Sequence, residues 1–98
     1  MPQETPASCL LFVRICQLAI RGKDVADLIH RLQSLSLEYQ QATGGRAIED
    51  DALKAILINQ VFGIAEYHIV IRAMGERGEL TDYYSVAAAL QSKWEAIR

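Results

Sequence analysis

The cysteines and histidines of this sequence, whose side chains can act as nucleophiles, proton carriers or soft metal ligands, are Cys9, Cys16, His30 and His68. A protein metal site needs several ligands at short, recognisable spacings, and these four residues show no such spacing. If Cys9 and Cys16 are both helical, their separation of about 10 Å along the helix is too long for an intrachain disulfide. We therefore expect two buried, reduced thiols and no metal site.

The two histidines have different surroundings in the sequence. His30 falls on the polar side of a predicted helix, where a solvated side chain is expected. His68 falls at the edge between apolar and polar positions of another predicted helix, together with Glu66 and Arg72. These three residues are the candidate site for a first alternative function, that of a small all-α hydrolase or ligand-binding protein.

Two short motifs resemble parts of a phosphate-binding or a cation-binding site, but neither is sufficient to predict such a site. Residues 44–46 (Gly-Gly-Arg) precede a predicted helix, but they lack the further glycines and the lysine of phosphate-binding loops. Residues 49–51 (Glu-Asp-Asp) are consecutive and therefore point in different directions, so they suit the N-terminal helix dipole better than a metal ion. We predict no catalytic residue, no cofactor and no metal ion from these motifs.

Basic residues near the first predicted turn suggest a second alternative function, weak nucleic-acid binding. The candidate residues are Arg14, Arg21, Lys23 and Arg31. The whole chain argues against this partner, because its 10 Lys and Arg residues are outnumbered by 12 Asp and Glu residues and its net charge is −2. Nucleic-acid-binding domains usually carry a basic excess.

The backbone that positions these residues is predicted to be helical along nearly its whole length. Prolines occur only at positions 2 and 6, so ring geometry permits helix from residue 7 onward. Apolar residues three and four positions apart predict helices over about 6–21, 24–43, 48–74 and 81–97. Their expected N-caps include Thr5, Asp24 and Thr81. The 98 residues predict a single domain, an all-α, four-helix antiparallel bundle.

The apolar surface exceeds what four helices of one chain can cover. The predicted helices over 6–21 and 48–74 are apolar around most of their circumference, and such helices must be covered on all sides. We therefore predict a homodimer, the commonest symmetric assembly, that completes the core. The residues predicted at its interface are Leu11, Phe12, Ile15, Phe62, Ile69 and Trp94.

These features together favour a non-enzymatic helical protein-interaction module of the adaptor, chaperone, immunity or regulatory type, acting as a homodimer. A further protein partner is expected on an apolar groove that the dimer leaves open. The residues before the first apolar run include Glu4 and no basic residue, unlike a secretory signal, and Arg14 interrupts that run well short of a membrane span. We expect a cytoplasmic protein without a membrane-spanning segment.

Overall fold

The computed structural model describes residues 6–98, and the chain in this range forms five α-helices and no β-strand. The helices are α1 (Pro6–Cys16), α2 (Val25–Ala42), α3 (Asp50–Val61), α4 (Ala65–Glu76) and α5 (Tyr83–Ile97). The prediction of an all-α fold is confirmed. Five helices replace the four that the sequence predicted.

The predicted helix over 48–74 is divided into α3 and α4 at residues 62–64. Gly63 stands at the division, and glycine disfavours a helix interior by about 1 kcal/mol relative to alanine. Ile64 adopts an extended conformation, with φ −95° and ψ 119°, as the N-cap residue of α4. The division lets two short helices pack against α5, which buries apolar surface that one helix of about 40 Å would leave uncovered.

The first helix ends at Cys16 rather than at residue 21. Leu18 is buried and Ile20 packs against the same core. Residues two apart point to nearly opposite sides of a helix, so both can face inward only where the helix has ended. The Ile20 amide donates a hydrogen bond to Gln60 Oε1 at 3.3 Å, which fixes this irregular segment against α3. The predicted N-cap Thr5 lies outside the described residues.

The N-terminus of α5 is capped from two directions. Asp82 is its N-cap residue and accepts a hydrogen bond from the Ser85 amide at 3.3 Å, so the predicted cap, Thr81, is wrong by one position. Asp50 of α3 accepts a hydrogen bond from the Tyr83 amide, with both carboxylate oxygens at 3.1 Å. Asp50, which the sequence assigned to the dipole of its own helix, therefore also caps the N-terminus of α5.

Both ends of α2 are also closed by side chains. The Asp24 carboxylate accepts a hydrogen bond from the Asp27 amide at 3.0 Å, which confirms the predicted N-cap. At the other end the Thr43 hydroxyl donates to the Tyr39 carbonyl oxygen at 3.0 Å. Because Asp24 and Thr43 are the cap residues, α2 is one residue shorter at each end than the predicted range of 24–43.

The core is built around α5, which contacts α2, α3 and α4, whereas the main contact of α1 is with α2. Fully buried large side chains of this core include Leu28, Leu57, Tyr67 and Leu90. The Tyr67 hydroxyl donates a hydrogen bond to the Lys23 carbonyl oxygen, which ties α4 to the segment between α1 and α2. Helix α1 consequently lies at the edge of the fold, with one side against α2 and the opposite side open.

Candidate functional site

The outer side of α1 is an exposed apolar surface. Ser8 and Ile15 are fully buried on the inner side, and 3.6 residues per turn place these two residues on one side of the helix. Outside this inner side the exposed residues of α1 include Cys9, Leu10, Phe12, Val13 and Cys16, and also Arg14, which lines the cleft between α1 and α2. We call the five uncharged residues of this group the α1 face. It contains no Asp, Glu, Lys, Arg or His residue, so it suits an apolar partner surface.

Two clefts extend the α1 face toward α2 and the start of α3. The Phe12 ring lies against the Tyr39 ring, with centroids 5.7 Å apart and planes inclined by 58°. A cleft of about 440 Å³ is lined in part by Cys9, Phe12 and Val13. A second cleft of about 410 Å³ has Phe12 and Ile48 in its lining. Arg46 lines both clefts and Glu49 lines the second, so the accessible surface beside α1 is larger than a single row of side chains and includes charged residues.

Three of the predicted interface residues belong to the core of the chain itself. Ile15 is fully buried, and Leu11 and Trp94 are partly buried against the same cluster of core residues. Their burial accounts for their apolar character without a second chain. A role for these three residues in an interface stays a prediction.

The other three predicted interface residues, Phe12, Phe62 and Ile69, are exposed. Phe12 belongs to the α1 face, whereas Phe62 lies at the end of α3, where its ring centroid is 4.3 Å from that of His68. Ile69 lines a groove of about 540 Å³ between α4 and α5, together with Met74. The exposed apolar side chains are thus distributed over separate surfaces, and α1 carries the densest group of them.

The residues of the predicted ligand site have separate partners. Lys23 pairs with Glu66, and this hydrogen bond holds the pKa of the Glu66 carboxyl below its ordinary value. His68 Nδ1 donates a hydrogen bond to the Phe62 carbonyl oxygen at 3.0 Å, which satisfies one acceptor at the end of α3. Arg72 is exposed on α4. A small-molecule site at these residues stays a prediction, and the contacts of Glu66 and His68 have structural explanations.

Three of the four candidate nucleic-acid residues meet at one cleft. Arg14, Arg21 and Arg31 line a cleft of about 750 Å³ between α1 and α2, to which Glu38 contributes an acidic side chain. Arg31 is held there by hydrogen bonds to the Asp27 carboxylate at 2.9 Å and to a backbone carbonyl of the α1–α2 segment. Such a cleft can accept an anionic group. The sequence placed these residues near the first turn, whereas the cleft at which they meet depends on how α1 lies on α2.

The thiols are placed differently from the expectation. Cys9 and Cys16 are both free and exposed, so the prediction of buried thiols is wrong. Both residues lie outside the inner side of α1, which Ser8 and Ile15 occupy, and Cys9 also lines the cleft that reaches Tyr39 of α2. Within residues 6–98, no group of three or more His, Cys, Asp and Glu side chains is arranged to hold a metal ion.

The chain matches no protein-family model, no curated protein and no solved structure. Its function has to be inferred from its own surfaces. Among the helices of the described range, none combines the length and apolar character that crossing a bilayer requires. The α1 face is the surface on which an inference of function can best be based.

Proposed function

We propose that this chain is a non-enzymatic helical protein-interaction module, of the adaptor, chaperone, immunity or regulatory type, that acts as a homodimer. The observation that carries the proposal is the α1 face. It consists of five exposed residues without a charge on a helix whose main contact is with α2 alone. Exposing such a surface to water costs free energy, and association with an equivalent surface removes that cost. We propose the cytoplasm as its compartment.

Substitution of Leu10 or Val13 by aspartate is expected to weaken the homodimer at least about ten-fold, because two copies bring two carboxylates into one apolar contact. Leu10 is 64% exposed and Val13 is 42% exposed, so neither substitution removes a core contact. Light scattering on a sizing column, across a dilution series in reductant, measures the change in mass.

Leu37→Asp is the matched control for these two variants. Leu37 lies on α2 and is 56% exposed, so the control also adds a charge to an exposed leucine of a helix. The variant should dimerise like the unaltered protein, and circular dichroism should show equal helix content in all four proteins. A monomeric unaltered chain at every concentration, or equal disruption by the Leu37 variant, would contradict the proposal.

A second candidate function is weak nucleic-acid binding at the arginine-lined cleft between α1 and α2. The convergence of Arg14, Arg21 and Arg31 on this cleft is the observation that favours it. If a short labelled DNA binds there, its affinity should fall with salt, and each arginine replaced by alanine should reduce the log–log slope by about 0.7 to 0.9. Fluorescence anisotropy between 50 and 200 mM salt tests this, with Arg72→Ala as a control outside the cleft. Binding that is absent or independent of salt would remove this candidate.

A further inference from the structure

The two cysteines stand at the ends of the α1 face. Positions seven apart lie on the same side of an α-helix, and both thiols are exposed. Val13 lies between them on the same side and belongs to the same face. The apolar surface that we propose as the contact region therefore begins with one thiol and ends with the other.

These thiols cannot join to each other within one chain. Seven residues of helix separate Cys9 from Cys16 by about 10 Å, whereas the Cα atoms of a disulfide lie within about 7 Å of each other. A disulfide at either residue therefore requires a thiol from another molecule.

A two-fold axis relates the two thiols in a specific way. In an isologous dimer, a contact from residue i to residue j is repeated from j to i. The α1 face runs from Cys9 to Cys16, so its midpoint falls between Phe12 and Val13. When two α1 helices pack antiparallel about this midpoint, Cys9 lies opposite the partner subunit's Cys16, and Cys16 lies opposite the partner subunit's Cys9.

The distances across such a pair suit a disulfide. Packed helix axes lie about 8–10 Å apart and Cα atoms lie about 2.3 Å from each axis. Facing Cα atoms are then about 3.5–5.5 Å apart, which overlaps the range of about 4.4–6.8 Å found for disulfides. Neither thiol has to leave its helix to reach the other.

We infer that two copies of this chain pair antiparallel through their α1 faces and that oxidation links them by two Cys9–Cys16 disulfides. The inference rests on the proposed function and adds the register and the regulation of the same surface. Self-pairing suits this face because its five residues carry no charge, so two copies meet without like-charge repulsion. Arg14, the one charged residue of α1, lines the cleft between α1 and α2 instead.

The size of the face explains why a covalent link matters. A standard stable interface involves about 20–30 residues on each side, and the α1 face supplies five. Two reduced copies therefore pair weakly, and a disulfide makes their association intramolecular. In a cytoplasmic protein such bonds are typically transient and redox-sensing, so the dimer would persist under oxidation and become reversible after reduction.

The oxidant for this step is a low-molecular-weight disulfide. The Cys9 thiolate attacks one of its sulfurs, which forms a mixed disulfide and releases one small thiol. The thiolate of the partner subunit's Cys16 then attacks the Cys9 sulfur and releases the second small thiol. Each bond thus oxidises two protein thiols, whose protons pass to the two released thiolates, and reduces one small disulfide to two thiols.

Complementation between single variants tests the register. Cys9→Ser and Cys16→Ser are incubated with oxidised glutathione separately and as an equimolar mixture, and covalent dimers are separated on a non-reducing gel. Each variant alone should lose the covalent dimer, since its remaining thiol faces a serine. The mixture should recover it, because one chain supplies Cys16 and the other supplies Cys9. The double variant is the control without thiols.

Peptide mapping identifies the bond directly. Trypsin cleaves after Arg14, so Cys9 and Cys16 fall in different peptides, 1–14 and 15–21. The oxidised dimer of the unaltered chain should yield these two peptides joined to each other. When isotope-labelled and unlabelled chains are mixed before oxidation, some joined pairs should contain one labelled and one unlabelled peptide, which shows that the bond links two chains. Homotypic pairs of either peptide would indicate a parallel arrangement and would overturn the inference.

The outcomes separate this inference from the proposed function. Covalent dimers from either single variant alone, at the level of the mixture, would overturn the antiparallel register. Dimers seen by light scattering in reductant, combined with no covalent dimer in the mixture, would overturn the inference and leave the proposed homodimer standing. Monomers at all concentrations in reductant, with no covalent dimer after oxidation, would remove both.

Discussion

Ile15→Asp is expected to unfold the protein or to release α1 from α2. Ile15 is fully buried on the inner side of α1, so its carboxylate replacement would lose water without gaining a partner. An uncompensated buried charge costs about 3–5 kcal/mol, a large part of the stability of about 5–15 kcal/mol typical of small domains. The melting temperature, followed by circular dichroism, should fall by at least about 12 °C.

Phe62→Asp is the control that separates core from surface. The Phe62 side chain is 48% exposed and makes a ring contact with His68, worth about 0.5–1.5 kcal/mol. Its replacement by aspartate should therefore lower the melting temperature by less than half as much as Ile15→Asp. Equal losses for the two variants would contradict the assignment of Ile15 to the core and of Phe62 to the surface, and would indicate that a second chain covers Phe62.

The existence of the helices could be predicted from periodicity, whereas the break at Gly63 could not. Apolar residues recur on both sides of Gly63 at helical spacing, and one glycine costs a helix only about 1 kcal/mol. Local propensity therefore leaves a single helix and a broken one close in free energy. The packing of α3 and α4 against α5 decides between them, and this packing involves residues distant in the sequence.

The α1 face illustrates a second limit of the sequence. The predicted helix over 6–21 has only a narrow polar strip, formed by Arg14, Gln17 and Arg21, which leaves most of its apolar circumference without a clear assignment to core or surface. In the fold the inner side includes a serine, Ser8, whereas Leu10 and both cysteines face outward. The packing of Ile15 against α2 fixes this orientation, and the polar character of Ser8 would have favoured the opposite one.

Ion pairs between residues that are distant in the chain also could not be predicted from the sequence. Glu66 was assigned to a ligand site with its helix neighbours, but its carboxylate pairs with Lys23, which lies 43 residues earlier in the chain. The same pairing draws Lys23 away from the group of arginines that the sequence placed it with. The sequence alone shows which residue types are available for chemistry. Which of these residues come into contact depends on the fold.

The buried phenol of Tyr83 leads to the second large effect, a loss of stability in alkaline solution. Tyr83 is 2% exposed, and within the described residues its hydroxyl has no partner in hydrogen-bond geometry. Burial raises the pKa of Tyr83 to about 12. The Gln33 side chain is close enough to act in the opposite direction, but it does not reach hydrogen-bond geometry with the hydroxyl. An unfolded tyrosine ionises near its ordinary value of about 10.

The difference between the folded and unfolded pKa values sets the direction of the effect. Below about pH 10 the phenol is neutral in both states and titration contributes nothing to the pH dependence. Between about pH 10 and 12 only the unfolded state ionises, so the free energy of unfolding falls as pH rises, by up to about 2–3 kcal/mol. Burial raises the pKa of Tyr67 as well, so it adds to the same loss.

Tyr83→Phe should remove a large part of this alkaline loss and should raise stability at neutral pH by about 1 kcal/mol, because it eliminates an unsatisfied buried hydroxyl. Urea unfolding at pH 8 and at pH 11 measures both changes, and comparison with the unaltered protein cancels the titration of the lysines. Tyr84→Phe is the matched control: Tyr84 is the adjacent residue, its ring contacts that of Tyr83, and it is 71% exposed. Equal losses of stability by the Tyr83 and Tyr84 variants between the two pH values would contradict the prediction. The hydroxyl of Tyr83 would then be solvated or hydrogen-bonded in solution. The packing of α5 against α2 and α3 would be looser than its buried side chains indicate.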